Sequence, residues 1–189
     1  MNALKFILTL SLGSILAVGN SQDLKIDFQK SSLKWIGKKV SGEHVGFIKL
    51  KEGQLRLENN KIAAGSFKID MSTLTNTDIE DPEWNQKLVG HLKSDDFFGV
   101  DKFPTSNLII TESSPFKNNK ATVKGMLTIK GKTEPITFDV TKNGAEFYAL
   151  IMVDRTKYDV RYGSGKFFDN LGDKMIYDDF TLDVKLVTN

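Results

Sequence analysis

Apolar and polar residues alternate at every second position along much of this chain. A period of two commits a segment to a β-strand with one dry face and one wet face. Leu33 and Trp35 flank Lys34; Leu55 and Leu57 alternate with Gln54, Arg56 and Glu58; Phe67 and Ile69 alternate with Ser66, Lys68 and Asp70. Further on, Val123, Gly125, Leu127 and Ile129 oppose Lys124, Thr128 and Lys130, and Ile136, Phe138 and Val140 oppose Thr137, Asp139 and Thr141. Leu182, Val184 and Leu186 repeat the pattern against Thr181, Asp183 and Lys185. Half-wet strands of this kind build antiparallel sheets. Between them stand the turn signals Glu52-Gly53, Asn59-Asn60, Asn118-Asn119, Gly131-Lys132 and Asn143-Gly144, in which Asn and Gly tolerate the positive φ of tight hairpins. Connections this short exclude parallel pairing, whose crossovers take about a dozen residues or more. Seven or eight such strands protect their edges by curling into a barrel or a sandwich, and a small barrel of about eight strands has room inside for side chains or one ligand.

Two stretches depart from the alternation. Ile79 to Ser94 carries Pro82 near its start and Trp84, Leu88 and Leu92 at a four-residue spacing, which predicts one short amphipathic helix near residues 79–94. Asp154 to Asp179 mixes charge and Gly with Tyr158, Tyr162, Phe167, Phe168 and Tyr177. Its aromatic content predicts that it folds over a barrel mouth rather than leaving these rings in water.

The chain opens with Lys5, an apolar run from Phe6 to Val18 broken only by Thr, Ser and Gly, and then Ala17-Val18-Gly19 before Asn20. Small residues at the −3 and −1 positions fit a cleavable export signal over residues 1–19, and the run is short for a membrane span of about 20 residues. Residues 20–189 then form one domain, expected in the periplasm or outside the cell. No Cys follows the signal, and none occurs anywhere in the chain, so disulfides, thiolate zinc sites and thiol chemistry are excluded. A formal net charge of +2 with dispersed basic residues argues against nucleic acid as a partner.

Chemistry-bearing constellations are sparse. The 2 histidines, His44 and His91, cannot fill a tetrahedral shell without carboxylates, and no metal site is expected. His91 falls near the end of the predicted helix, in a packing or capping place. Asp95-Asp96 and Asp178-Asp179 are adjacent pairs, whereas acid/base work needs carboxyl groups facing each other across a substrate. Asp95 reads as a helical cap. Gly163-Ser164-Gly165-Lys166 lacks the spacing and strand-to-helix context of a phosphate loop. No catalytic residue is assigned.

Several stretches carry a family resemblance. They are Gly37-Lys38-Lys39-Val40-Ser41-Gly42-Glu43-His44, Gly90-His91-Leu92-Lys93-Ser94-Asp95-Asp96-Phe97-Phe98, Lys102-Phe103-Pro104-Thr105, Leu127 to Ile136 with its Gly131-Lys132-Thr133-Glu134-Pro135, and Asp154-Arg155-Thr156-Lys157-Tyr158. Together they resemble the YceI-like family of bacterial periplasmic proteins, from about Asp27 to the C-terminus. The chain departs from the pattern at Lys38-Lys39, where many members carry a His.

The resemblance implies a lipocalin-like antiparallel barrel with an apolar tunnel for polyisoprenoids or quinone-like amphiphiles, acting in binding or transport rather than catalysis. Trp35, Phe67, Ile69, Leu127, Phe138, Phe97 and Phe98 are then the expected tunnel lining, and His44, His91, Arg155 and Arg161 the candidates for meeting a head group. No cofactor beyond the bound lipid is expected. Transient membrane contact accompanies such a role, and the oligomeric state, dimer included, stays open. Two alternatives stand beside it: an enzyme acting on an amphiphilic substrate, and a filled barrel acting through its surface in envelope stress tolerance.

Overall fold

Every alternating run forms a strand in the computed structural model, which describes residues 21–189; the expected signal segment lies outside the described residues. The strands are β1 (Ser21–Leu24), β2 (Ser32–Lys39), β3 (Gly42–Glu58), β4 (Lys61–Asp70), β5 (Thr105–Ser113), β6 (Lys120–Ile129), β7 (Lys132–Asn143), β8 (Glu146–Asp154) and β9 (Ile176–Val187), with one helix, α1 (Pro82–Lys93), between β4 and β5. All pairings are antiparallel, in the order β1-β3-β2-β9-β8-β7-β6-β5-β4, and β4 pairs again with β3. Eight strands therefore close a barrel, and β1 lies outside it against the end of β3.

Positive φ marks the tight turns. Asn59 and Asn60 (φ 49° and 59°) join β3 to β4, and Asn118 and Asn119 (48° and 63°) turn the chain ahead of β6. Two expected turns move by one residue: Lys130-Gly131 (50° and 74°) replaces Gly131-Lys132, and Gly144-Ala145 replaces Asn143-Gly144. The Glu52-Gly53 turn does not form. β3 runs through it for 17 residues, with a register shift against β4 between Leu50 and Glu52. Here Gly serves a bend in a strand: a Cβ on Gly53 would stand 2.6 Å from Ile26 Cδ1 and 3.3 Å from Phe67. The bend lets one strand pair with β2 through its first half and with β4 through its second.

The first half of β3 has a second edge that β4 does not reach. The segment after β4 covers it, largely with side chains. Thr73 Oγ1 accepts from the Lys49 amide (2.9 Å), and Asp78 Oδ1 accepts from the Val45 amide (2.7 Å). The Thr75 and Thr77 amides donate to Phe47 O and Val45 O, each at 2.9 Å. This polar strap runs so close to β3 that a Cβ on Gly46 would lie 1.8 Å from Thr75 O.

Helix α1 begins later than the spacing predicts, at Pro82, because Asp81 caps it by accepting from the Glu83 and Trp84 amides at 2.9 and 3.0 Å. Val89 and Leu92 pack against Leu33, Ile48, Met71, Leu74 and Val100. Trp84 does not join them; it is 63% exposed, with Lys87 Nζ 4.5 Å from its ring centre. Asp95 caps nothing and instead meets Lys102 Nζ at 2.5 Å.

One stretch of the wall is open. β7 and β8 pair only through Thr141–Asn143 with Glu146–Tyr148, whereas β7 pairs with β6 from Lys132 to Thr141 and β8 with β9 along its whole length. Beyond Tyr148 the two strands diverge, and the outward Leu150 and Met152 beside the divergence are 70% and 68% exposed.

Candidate functional site

The inward faces of the strands enclose an apolar cavity of about 260 Å³, close to the lower end of small-molecule pockets at about 300 Å³. On β9 its lining runs from Ile176 to Leu186. At about 3.3 Å per residue and a tilt near 40°, that run corresponds to about 25 Å along the barrel axis. The cavity is long and narrow.

Its two ends differ. At the end where the C-terminus lies, Ile26, Leu55, Ile62, Phe116, Val123, Val140, Phe147 and Leu186 form a buried cluster, with the Phe116 and Phe147 rings 6.4 Å apart. That end is stoppered with hydrocarbon. At the other end, α1 and the Arg155–Met175 connection lie over the barrel, and the charged and imidazole side chains that border the cavity gather there with Tyr177: Lys38, Lys39, His44, His91, Arg155 and Asp179. Between the ends the wall is almost entirely apolar; the one buried hydroxyl in it, Ser106, donates to Met71 Sδ at 3.1 Å.

All seven residues expected to line a tunnel border this cavity: Trp35, Phe67, Ile69, Leu127, Phe138, Phe97 and Phe98. The alternation explains the first five, since each sits on the dry face of its strand. Phe97 and Phe98 arrive from the turn after α1, where Phe98 stacks edge-on to Phe180 at 6.3 Å. Leu88 and Leu92 of α1 also border it, and so does Tyr148, at the point where the β7–β8 pairing ends.

The four head-group candidates separate. His44 borders the cavity opposite Gly37, and its Nδ1 lies 2.8 Å from Asp78 Oδ2. Burial works against the Asp78 charge, but bonds from the Val45 amide, His44 and Asn76 outweigh it and hold the carboxyl below its usual range. His91 borders the cavity as well, edge-on to Phe97 at 5.2 Å and to Tyr162 at 4.4 Å. Arg155 is 3% exposed and reaches the cavity, but three of its N–H groups are committed to backbone carbonyls. Nη1 donates to Val160 O at 2.8 Å, Nη2 to Ile176 O at 3.0 Å and Nε to Tyr177 O at 3.1 Å. Burial pushes its guanidinium down from the usual range against the opposing pull of Asp178 and Asp154. Arg155 therefore pins the two ends of the β8–β9 connection together. Asp178 Oδ1, 3.9 Å from Arg155 Nη2, is buried with no hydrogen bond. Arg161 is not among the residues bordering the cavity; it pairs with Asp159 at 2.5 Å and stands over the Phe167 ring at 4.9 Å.

The aromatic content of that connection is only partly withdrawn from water. Tyr158 and Val160 are buried, whereas Tyr162, Phe167, Phe168 and Tyr177 stay about half exposed. The connection is too short of apolar neighbours above the rim to cover them. Ser164, within the Gly163–Lys166 stretch, is fully buried, and Lys166 ties the loop to Asp154 (3.0 Å) and Asp178 (3.4 Å).

Sequence reasoning missed Asp78 and the strap that carries it. A signal was available: Thr73, Thr75 and Thr77 alternate with period two directly after β4, which is the pattern of a polar segment lying along a strand edge.

Comparison with known proteins agrees with this architecture. The chain is 38% identical over 106 residues to a UPF0312 protein of Staphylococcus aureus, a match covering 56% of this chain and 54% of that protein. Matches to further S. aureus UPF0312 proteins cover about a third of their length, at 48% identity over 60 residues. A Vibrio cholerae UPF0312 protein is 27% identical over 150 residues, 75% of either chain. Among solved structures, Burkholderia cenocepacia BcnA superposes with a TM-score of 0.70 at 26% identity, covering 87% of this chain and 100% of its own. A polyisoprenoid binding domain from Saccharophagus degradans superposes at 0.60 with 13% identity, covering 88% and 97%, which speaks to the fold alone. The YceI-like domain model matches residues 24–188, essentially the whole described barrel, and the chain belongs to the YceI-like family.

Proposed function

We propose that this protein is an exported carrier that holds the tail of a long apolar amphiphile, a polyisoprenoid or fatty lipid, inside its barrel. The observation that carries this reading is the cavity: long, apolar along its walls, stoppered at one end and bordered by charged and imidazole side chains at the other. Such a shape matches a molecule with one extended hydrocarbon tail and one polar head. Each buried methylene contributes about 0.8 kcal/mol, so tail burial alone supports tight binding with little discrimination among tails. The S. degradans neighbour, which shares the fold, is described as a polyisoprenoid binding domain, so a barrel of this fold is compatible with that ligand class. The N-terminal run with its small-residue site supports export to the periplasm or beyond. A hydrocarbon-walled cavity with its charged and imidazole groups gathered at the rim favours binding over catalysis.

The test is direct. The mature protein is purified from its native envelope and extracted with organic solvent, and the extract is analysed by mass spectrometry; an isoprenoid or fatty amphiphile is expected at near-stoichiometric yield. Added prenyl compounds should raise the melting temperature, since ligand at about a hundred times its Kd stabilises by about 2.7 kcal/mol. An empty extract together with an unmoved melting curve removes the carrier reading.

A further inference from the structure

We propose that His44, oriented by Asp78, is a hydrogen-bond acceptor at the cavity mouth that selects amphiphiles ending in a hydroxyl group. The inference rests on the carrier reading and names the head group that goes with the tail. It starts from a juxtaposition: a rim imidazole whose one hydrogen bond among the described residues, 2.8 Å long, joins Nδ1 to Asp78.

Asp78 is itself firmly held. Its Oδ1 accepts from the Val45 amide at 2.7 Å and from Asn76 Nδ2. Asn76 in turn donates to Val45 O at 3.0 Å and accepts from the Ile79 amide at 3.1 Å. Asn85 of α1 donates to Asn76 O at 3.1 Å and to Ile79 O at 3.0 Å. The carboxylate is thus fixed between β3, the strap and α1.

An ionised carboxylate only accepts hydrogen bonds, so the shared proton sits on His44 Nδ1. In a neutral imidazole that assignment leaves Nε2 with a lone pair. The same device orients metal-bound and catalytic histidines through a carboxylate on the far nitrogen. Here the near nitrogen belongs to a ring bordering an apolar cavity. The wall beside it is cut away: Gly37 pairs with His44 on one side and with Phe180 on the other. A Cβ on Gly37 would meet only Trp35, at 3.8 Å. A head group can sit over this bare backbone, between the His44 and Phe180 side chains.

An acceptor in that place distinguishes head groups by what they donate. A prenyl alcohol or a hydroquinone offers an O–H to Nε2. An ether, an ester or a quinone carbonyl offers only lone pairs, so it makes no bond to Nε2 and displaces the water that this rim nitrogen would otherwise hold, which costs affinity. Lys39 and Arg155 also border the cavity and would favour a phosphate instead. Arg155, however, already has three donors spent on Val160, Ile176 and Tyr177.

The experiment compares farnesol, farnesyl methyl ether and farnesyl monophosphate on the mature protein. Of its 2 Trp, Trp35 borders the cavity while Trp84 is exposed, so a Trp84→Phe background makes Trp35 fluorescence the reporter. Farnesol should bind about fivefold to tenfold more tightly than its ether, the range of one net hydrogen bond. His44→Phe keeps a ring in place and should make the alcohol and the ether bind equally. Asp78→Asn, whose amide can donate to Nδ1 and so move the ring proton to Nε2, should shrink or invert the preference; if it fails to fold, His44→Phe decides alone. The inference is overturned by an undiminished preference in His44→Phe, by ether binding equal to alcohol binding in the parent, or by tighter binding of the monophosphate. Failure of all three probes to bind removes the carrier reading itself, an outcome distinct from binding without discrimination.

Discussion

Replacing Gly46 by Ala should destabilise the protein by about 2–4 kcal/mol and detach the strap from β3. The added Cβ would lie 1.8 Å from Thr75 O, 2.8 Å from Thr75 C and 2.7 Å from Trp35 Nε1, so backbone must move. What the movement breaks can be named: the Thr75 and Thr77 amides to β3 (2.9 Å each), Trp35 Nε1 to Thr75 O (2.9 Å), and the Val45 amide to Asp78 (2.7 Å). At about 1 kcal/mol net per hydrogen bond, losing two to four of these gives the stated range. Urea unfolding at constant slope measures it, and the melting temperature should fall by about 4–16 °C for a chain of this size. Trp35 emission should change as well, because its indole loses its partner. Gly90→Ala is the matched control. Gly90 lies within α1 with nothing inside 4 Å of the added Cβ, and Ala there should stabilise by about 0.5–1 kcal/mol. Opposite signs for the two substitutions are the expected result. A Gly46→Ala protein within about 0.5 kcal/mol of the parent, with Trp35 emission unaltered, would refute the steric argument.

Other perturbations address the cavity, the connection over it and the pH response. Ala149→Trp, at an inward position bordering the cavity, should shorten the longest tail accepted while leaving short amphiphiles bound, as read by native mass spectrometry across a prenyl-alcohol length series. Arg155→Ala should cost about 3–5 kcal/mol in chemical unfolding, since it removes three charge-assisted hydrogen bonds to the Val160, Ile176 and Tyr177 carbonyls from a nearly fully buried position. Burial pushes the Tyr158 hydroxyl up to about 12. The unfolded state therefore loses this proton near pH 10 while the folded state keeps it, so this contribution is intact below pH 10 and falls between pH 10 and 12 by up to about 1.4 kcal/mol per pH unit. Tyr158→Phe should flatten that part of the stability curve relative to the parent.

What the sequence disclosed depended on where each signal is local. Period-two alternation is a property of neighbours, and it located β2, β4, β6, β7 and β9 together with the inward places of Trp35, Phe67, Ile69, Leu127 and Phe138. The paired Asn turns are equally local. Gly53 misled because a Gly before alternating residues reads as a turn, while its reason, room for Ile26 and Phe67 inside a bent strand, is tertiary. Trp84 misled for the opposite reason: helical spacing was correct, but α1 rests on Leu88, Val89 and Leu92, and its first turn overhangs the barrel. Asp78 was hidden because a polar run of Thr, Asn and Asp looks like a loop until the uncovered edge of β3 is known to lie beside it. The aromatic connection drew the expectation of full burial from composition, yet nothing in composition fixes how much surface a rim provides.

The incomplete zipper between β7 and β8 has a mechanical consequence. A fully laddered barrel has a fixed circumference, because widening it anywhere ruptures hydrogen bonds. In this wall the divergence beyond Tyr148 holds no ladder bonds to rupture, and the two flanking ladders, β6 with β7 and β8 with β9, can rotate apart as intact ribbons. The barrel is thus a cuff with a partly laced seam: three residue pairs next to Gly144 carry all of its β7–β8 ladder, and widening the rest of that seam breaks no ladder bond.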